Sequence, residues 1–204
     1  MKNKIFYIVF ITLILGVIGY TGYRAYNEFF KKNEEPTQNK VQLDSLELYG
    51  YTLNDDATEA YKKYFGELKE ELNKETIDEK EYAKIATKLF ITDFYTLNNK
   101  ISSSDFGGLE FIHPNLKDNF MLNAGDTIYN HVKTNIDGKR EQALPEVKSV
   151  EITEAEETEF PYNGENVKSY KVSATWEYVT DMGYENSGTF YLIKEENKLY
   201  IVQK

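Results

Sequence analysis

The chain has 204 residues, of which 41% are hydrophobic and 15% aromatic, enough for one domain with a substantial core and an extra segment. It contains no cysteine, which excludes disulfides, thiolate metal sites and cysteine nucleophiles together. The net charge of −10 is uneven: residues 1–32 hold five basic residues and one acidic residue, so the remainder carries −14, which disfavours nucleic acid and repels an anionic membrane surface.

The strongest signal is IFYIVFITLILGVIGYTGY, residues 5–23, which are free of charge. At a helical rise these 19 residues cover roughly 28 Å, the thickness of a bilayer core. Tyr7 lies near one end and Tyr20 and Tyr23 near the other, where amphipathic rings prefer the interface. The run ends in Tyr20, Gly22, Tyr23 and Arg24, without the small-residue cleavage site of a signal peptide. The expectation is an uncleaved single-pass anchor embedded in membrane lipid, with residues 1–4 cytoplasmic and the rest outside the cell. Residues 24–45 read as a tether, because KKNEEPTQNK is charged, polar and broken by Pro36. Residues 46–204 read as the extracellular domain. Lysine outnumbers arginine by 22 to 2, a usage that fits an AT-rich bacterial genome.

The first half of that domain is patterned for helices. Asn54 to Asp56 offer a cap, and Ala57, Tyr61, Tyr64, Phe65, Leu68 and Leu72 follow at helical spacing. A second helix opens on Asp78, with Glu81 three residues on. Its stripe runs through Tyr82, Ile85, Ala86, Leu89, Phe90, Phe94 and Leu97, and Asp93 interrupts it. Pro114 suits the first turn of a third helix, continued by Leu116, Phe120, Ala124, Ile128 and Val132, with Gly125 as a weak point.

The second half is patterned for strands. Val150 and Ile152 alternate with polar residues, and the glutamates of EITEAEETEF (151–160) fit a solvated strand face and turn. PYNG (161–164) is a turn signal. In the next strand Tyr170, Val172, Ala174, Trp176 and Tyr178 share one face, which is expected to be the covered one. GTFYLIKE and LYIVQ complete four strands with short connections, an antiparallel meander. Helices followed by strands make an α+β domain: three helices packed on a curved four-stranded antiparallel sheet.

ATKLFITDFYTLNNK, SSDFGGLEFI and ATWEYV, in this element order, resemble the nuclear-transport-factor-2-like superfamily, a cystatin-type α+β roll. The likeness covers roughly residues 46–204. Behind a membrane anchor, the layout is similar to scaffold proteins of type IV secretion and conjugation systems. The resemblance implies an envelope protein as partner. Enzymatic members of the superfamily imply a second possibility, an isomerase- or dehydratase-like roll with a carboxylate in its pocket.

The residues themselves name no reaction. Asp105-Phe106-Gly107-Gly108 contains the tripeptide with which kinases hold magnesium, but no Gly-rich loop, strand lysine or H-R-D loop accompanies it. It reads as a turn, and Asp105, Gly107 and Gly108 are candidates for facing a ligand or partner. His113 and His131 are 18 residues apart, a poor spacing for a metal site. His113 reads as a cap-region residue and His131 as a partly buried helix residue that could face a ligand. Asp93 is the one catalytic candidate, as a base beside a donor such as Tyr95, Tyr178 or His131. Its plainer role is a hydrogen-bonded carboxylate at the edge of the stripe. No cofactor or metal is expected. The expectation is a non-enzymatic domain that binds or positions other proteins.

Overall fold

The computed structural model describes residues 40–203, so the expected anchor at 5–23, and residues 1–4, lie outside the described part. Among the described residues no helix is long and apolar enough to cross a membrane. The described part is α+β, with three α-helices and a four-stranded antiparallel sheet. A two-stranded hairpin, β1 (Gln42–Leu46) and β2 (Tyr51–Asn54), precedes the helices. Gln42–Ser45 of β1 fall within the stretch read as tether, yet β1 pairs with β2, whose Tyr51 is fully buried in the core.

Helix α1 (Glu59–Leu72) is capped by Thr58, whose hydroxyl accepts from Tyr61 N–H at 3.2 Å; the cap is therefore four residues later than the Asn54 signal. Helix α2 (Glu79–Phe94) opens on Asp78, which accepts from the N–H groups of Lys80 and Glu81. The Glu81 carboxylate turns away from the cap to Lys84. α2 is apolar on nearly every side, as a helix enclosed by other elements must be. Thr87 and Thr92 inside it satisfy their hydroxyls on the carbonyls of Ala83 and Lys88. A 3₁₀ turn at Pro114–Leu116 leads into α3 (Lys117–Asp126). α3 stops just past Gly125, short of the Val132 expected from its stripe, because the chain then turns Tyr129 fully into the core.

The sheet runs β3 (Val147–Tyr162), β4 (Glu165–Tyr178), β5 (Ser187–Glu195), β6 (Lys198–Gln203) in that order, each antiparallel to the next. The glutamate-rich stretch is strand throughout; the turn is deferred to Asn163-Gly164, whose φ values of 52° and 87° suit a tight primed hairpin. Lys171 reaches Glu156 and Lys168 reaches Glu157 beside that strand. On β6, Ile201 N–H donates to the Phe111 carbonyl and His113 N–H to the Ile201 carbonyl, so residues 111–113 lie along that strand.

Tyr170, Val172, Ala174 and Trp176 of β4 are buried, as the alternation predicts, while Thr175 and Glu177 are exposed. They meet α2 and the inner residues of β5 and β6 in a filled core: Phe90 and Phe190 contact edge-on at 5.7 Å, and Leu89, Leu192 and Leu199 are fully buried. The ring partner of Trp176 is Tyr95, one residue beyond α2, at 4.6 Å. Its indole N–H donates to the Tyr178 hydroxyl at 3.0 Å.

Truncating a buried aromatic leaves a cavity and typically costs ~3–5 kcal/mol. Trp176→Ala is expected to lower unfolding free energy by about that much in chemical denaturation. In the unmutated protein, Trp176 fluorescence should be blue-shifted and resist a soluble quencher; red emission with ready quenching would place the indole outside.

Candidate functional site

The C-terminal turn of α2, the turn after it and the Asp105–Glu110 segment converge on one carboxylate. Asp93 is the penultimate residue of α2. Its Oδ1 accepts from Lys100 Nζ and its Oδ2 from the Gly108 N–H, both at 2.6 Å. Lys100 is almost wholly buried, so its ammonium needs this partner. The turn carrying Lys100 is held by Arg140, whose guanidinium donates to the carbonyls of Lys100 at 2.7 Å and Asn98 at 2.6 Å.

The double glycine is what lets the loop approach. A Cβ on Gly107 would sit 2.2 Å from the Asp93 carbonyl oxygen, and Gly108 adopts φ +75° with its own Cβ position against the Phe90 ring. The Gly107 N–H donates to the Tyr129 hydroxyl, which in turn donates to the Phe94 carbonyl at 2.8 Å. Asp105 closes the loop's start by accepting from Ile101 N–H at 3.0 Å. The segment is thus a loop built around Asp93.

Asp93 and Lys100 line a cleft of about 180 Å³ at the junction of the β1–β2 hairpin, the start of α1 and the Asp93 loop. Glu110 lines it, accepting from the Tyr61 hydroxyl at 2.8 Å and from both the N–H and hydroxyl of Thr52 at 3.1 Å. Lys40 spans two carboxylates beside it, Asp56 at 2.8 Å and Asp105 at 3.2 Å. Asn99 also lines the cleft. Among the described residues its Oδ1 is the one buried side-chain polar atom without a hydrogen-bond partner.

The charges respond to burial in opposite ways. Burial pushes the Asp93 carboxyl up, but the Lys100 ammonium and the Gly108 N–H outweigh it and hold its pKa below the usual 3.8. Burial pulls Lys100 down, yet Asp93 beside it leaves its pKa raised. Glu110 is raised by burial and by the Asp93 charge, against the pull of its Tyr61 and Thr52 donors. A carboxylate fixed by two donors and made more acidic than usual is poorly suited to abstracting a proton at neutral pH.

Asp93, Asp105, Gly107 and Gly108 are therefore together, whereas His131 is exposed and contributes only its carbonyl, to the Gln142 amide. His113 is buried as the cap of the 3₁₀ turn, its Nδ1 accepting from Asn115 N–H and its Nε2 placed 2.7 Å from Glu195. No group of three or more potential metal ligands occurs among the described residues. Lys100, Glu110, Lys40 and Tyr129 were not singled out by sequence reasoning; they are ordinary residues until the turn and loops bring them to Asp93. A second, apolar groove of about 620 Å³ lies between α3 and the loop before β5, floored by Phe94, Tyr95 and Phe120. Compared with protein-family models, curated proteins and solved structures, the chain matches none.

Breaking a buried pair by removing one partner typically costs ~3–5 kcal/mol, so Asp93→Asn is expected to destabilise the protein by about that amount in denaturant unfolding. Asp93's folded pKa lies below its unfolded value, so its stabilisation is full above pH 3.8 and is lost as pH falls through the folded value. Lys100 works in the other direction: its stabilisation is full below pH 10.5 and is lost as pH rises through its raised folded value.

Lys198, buried against the Tyr51 ring at 4.0 Å with its ammonium on the Gly50 carbonyl, supplies a separate pH test. Burial lowers its pKa to about 8, from 10.5. The folded state sheds this proton first, so its charge destabilises the fold below pH 8 and that penalty is relieved as pH rises toward 10.5. The stability difference between the unmutated protein and Lys198→Met is expected to shift in favour of the unmutated protein across that window. A flat difference would mean that Lys198 is not buried as a cation.

Proposed function

We propose that this chain is a single-pass membrane protein whose outer domain is non-catalytic and binds or positions partner proteins in a bacterial cell envelope. The observation that carries this reading is the fate of Asp93. The one carboxylate that interrupts the apolar stripe is consumed internally by Lys100 and Gly108. The interface between α2 and the sheet, where a roll-type enzyme would keep its pocket, is filled with Leu89, Phe90, Phe190 and Trp176. The resemblance to anchored roll-type scaffold proteins supports the same reading at the level of architecture alone. Residues 5–23 supply the anchor by their length and apolarity, with the amino terminus cytoplasmic.

A second reading, a small-ligand or isomerase-like roll, is favoured by the cleft that holds Asp93, Glu110 and Tyr61. Such an enzyme needs a base with a pKa near the working pH, and Asp93 is displaced the other way.

Topology is testable directly. Protease added to intact protoplasts carrying the full chain is expected to digest the domain and spare cytosolic markers. Complete protection in sealed cells, with digestion after lysis, would reverse the orientation and remove the envelope from the proposal.

A further inference from the structure

We propose that His113 is a pH-sensitive cap. While its imidazole is neutral it holds the 3₁₀ turn at Pro114–Leu116 and the helix α3 behind it, and on gaining a second proton it releases them. The device is internal to the domain and does not depend on what the domain binds.

The surroundings of His113 dictate its tautomer. The residue is 3% exposed and is met from several directions. On its own segment the Asn115 N–H, which can only donate, lies 3.3 Å from Nδ1. From the end of β5, Glu195 places Oε2 2.7 Å from Nε2. From the tip of the β3–β4 hairpin, the Tyr162 hydroxyl lies 3.1 Å from Nδ1 and 3.2 Å from Nε2. Tyr200 of β6 packs its ring edge-on at 5.4 Å. Among the described residues, the titratable groups bonded to or packed on the imidazole are therefore Glu195, Tyr162 and Tyr200. A backbone donor aimed at Nδ1 requires that nitrogen to be bare. Nε2 then carries the proton and donates to the Glu195 carboxylate.

A second proton goes to Nδ1, the nitrogen that makes the cap. Nε2 keeps its bond, and the contact with Glu195 becomes an ion pair. The Tyr162 hydroxyl can rotate and accept instead of donating. The Asn115 N–H cannot. Two donors then face each other, and a positive charge sits at the start of a helical segment, where the dipole disfavours it. Imidazole is the side chain whose charge ordinarily changes between pH 5 and 8. The Glu195 side chain is 57% exposed, which gives the proton a path from solvent. What the cap holds is weak on its own. α3 has ten residues, of which Ala124 alone is buried, and its N-cap residue Leu116 makes no side-chain bond. Asn119, Asn123 and Gly125 are poor helix formers, and so short a helix is marginal without outside support. Phe120 of α3 packs on Phe94 at the floor of the apolar groove, so releasing α3 loosens a wall of that groove.

The test uses isotope-labelled full chain in detergent, followed by NMR as the pH is lowered from about 8 to about 5. At the upper end the ring nitrogens of His113 are expected to show the Nε2–H tautomer. As the pH falls, hydrogen-exchange protection of the Phe120, Met121 and Leu122 amides should drop roughly fivefold, the effect of losing a typical cap. The drop should share its midpoint with the His113 ring signals, while the amides of α2 keep their protection. The chain has two histidines, and the other, His131, is exposed. His131→Asn should leave the drop unchanged. His113→Asn supplies a cap oxygen that does not titrate and should abolish it. An Nδ1–H tautomer at the upper end, a His113 ring that keeps one charge throughout, or protection that stays level while the ring titrates would each overturn the proposal. So would a drop that persists in His113→Asn. If that variant does not fold, the match or mismatch of midpoints in the unmutated chain and in His131→Asn decides.

Discussion

The ion pair between Asp93 and Lys100, completed by the Gly108 N–H, ties together the end of α2, the turn after it and the Asp105–Glu110 segment. A carboxylate near the end of the most buried helix and an ammonium shut away from solvent are each costly alone. Joined, they fix the turn after α2 and draw the Asp105–Glu110 segment against the helix end. From there the chain passes directly to Phe111 and Ile112, which lie along β6, and so the loop's position and the edge of the sheet are set together. Tyr129 reaches the same place from beyond α3, accepting from Gly107 and donating to Phe94.

The same pair decides what the site can do. Its geometry leaves Asp93 anionic and satisfied, which suits a strut and defeats a base. The neighbouring Glu110 has a different character: burial raises its pKa, and its donors Tyr61 and Thr52 come from α1 and β2, elements the pair does not hold. The cleft is thus rigid on the Asp93 side and faced on the other by the β1–β2 hairpin, with Lys40 bridging the two.

Much of the fold was legible because it rests on periodicity. The inner face of β4 follows from strict alternation, and burial of Trp176 follows with it. α2 announces itself through Asp78 and a long apolar stripe. The β1–β2 hairpin was hidden because Gln42, Asp44 and Ser45 dilute its apolar residues and the polar tether runs straight into it. The length of α3 was misjudged for a different reason: its stripe continues through Ile128 and Val132, but a tertiary demand, the Tyr129 hydroxyl bonded to Phe94 and Gly107, overrides local helix preference. Asp93 stood out as an interruption in an apolar stripe. Lys100 did not, since nothing in a lone lysine seven residues later shows that its ammonium turns inward. The two glycines marked a turn, but the need for them, a helix carbonyl too close for any side chain on Gly107, exists only in three dimensions.

Titration of Asp93 measures directly whether it is an ionised strut. The carboxyl carbon of Asp93, followed by NMR in the full chain as the pH is lowered from neutral, should stay in its anionic position until the pH falls below 3.8, the ordinary aspartate value. A midpoint raised to about 6–7, where catalytic carboxylates are tuned, would contradict it and return Asp93 to the role of a proton-abstracting base.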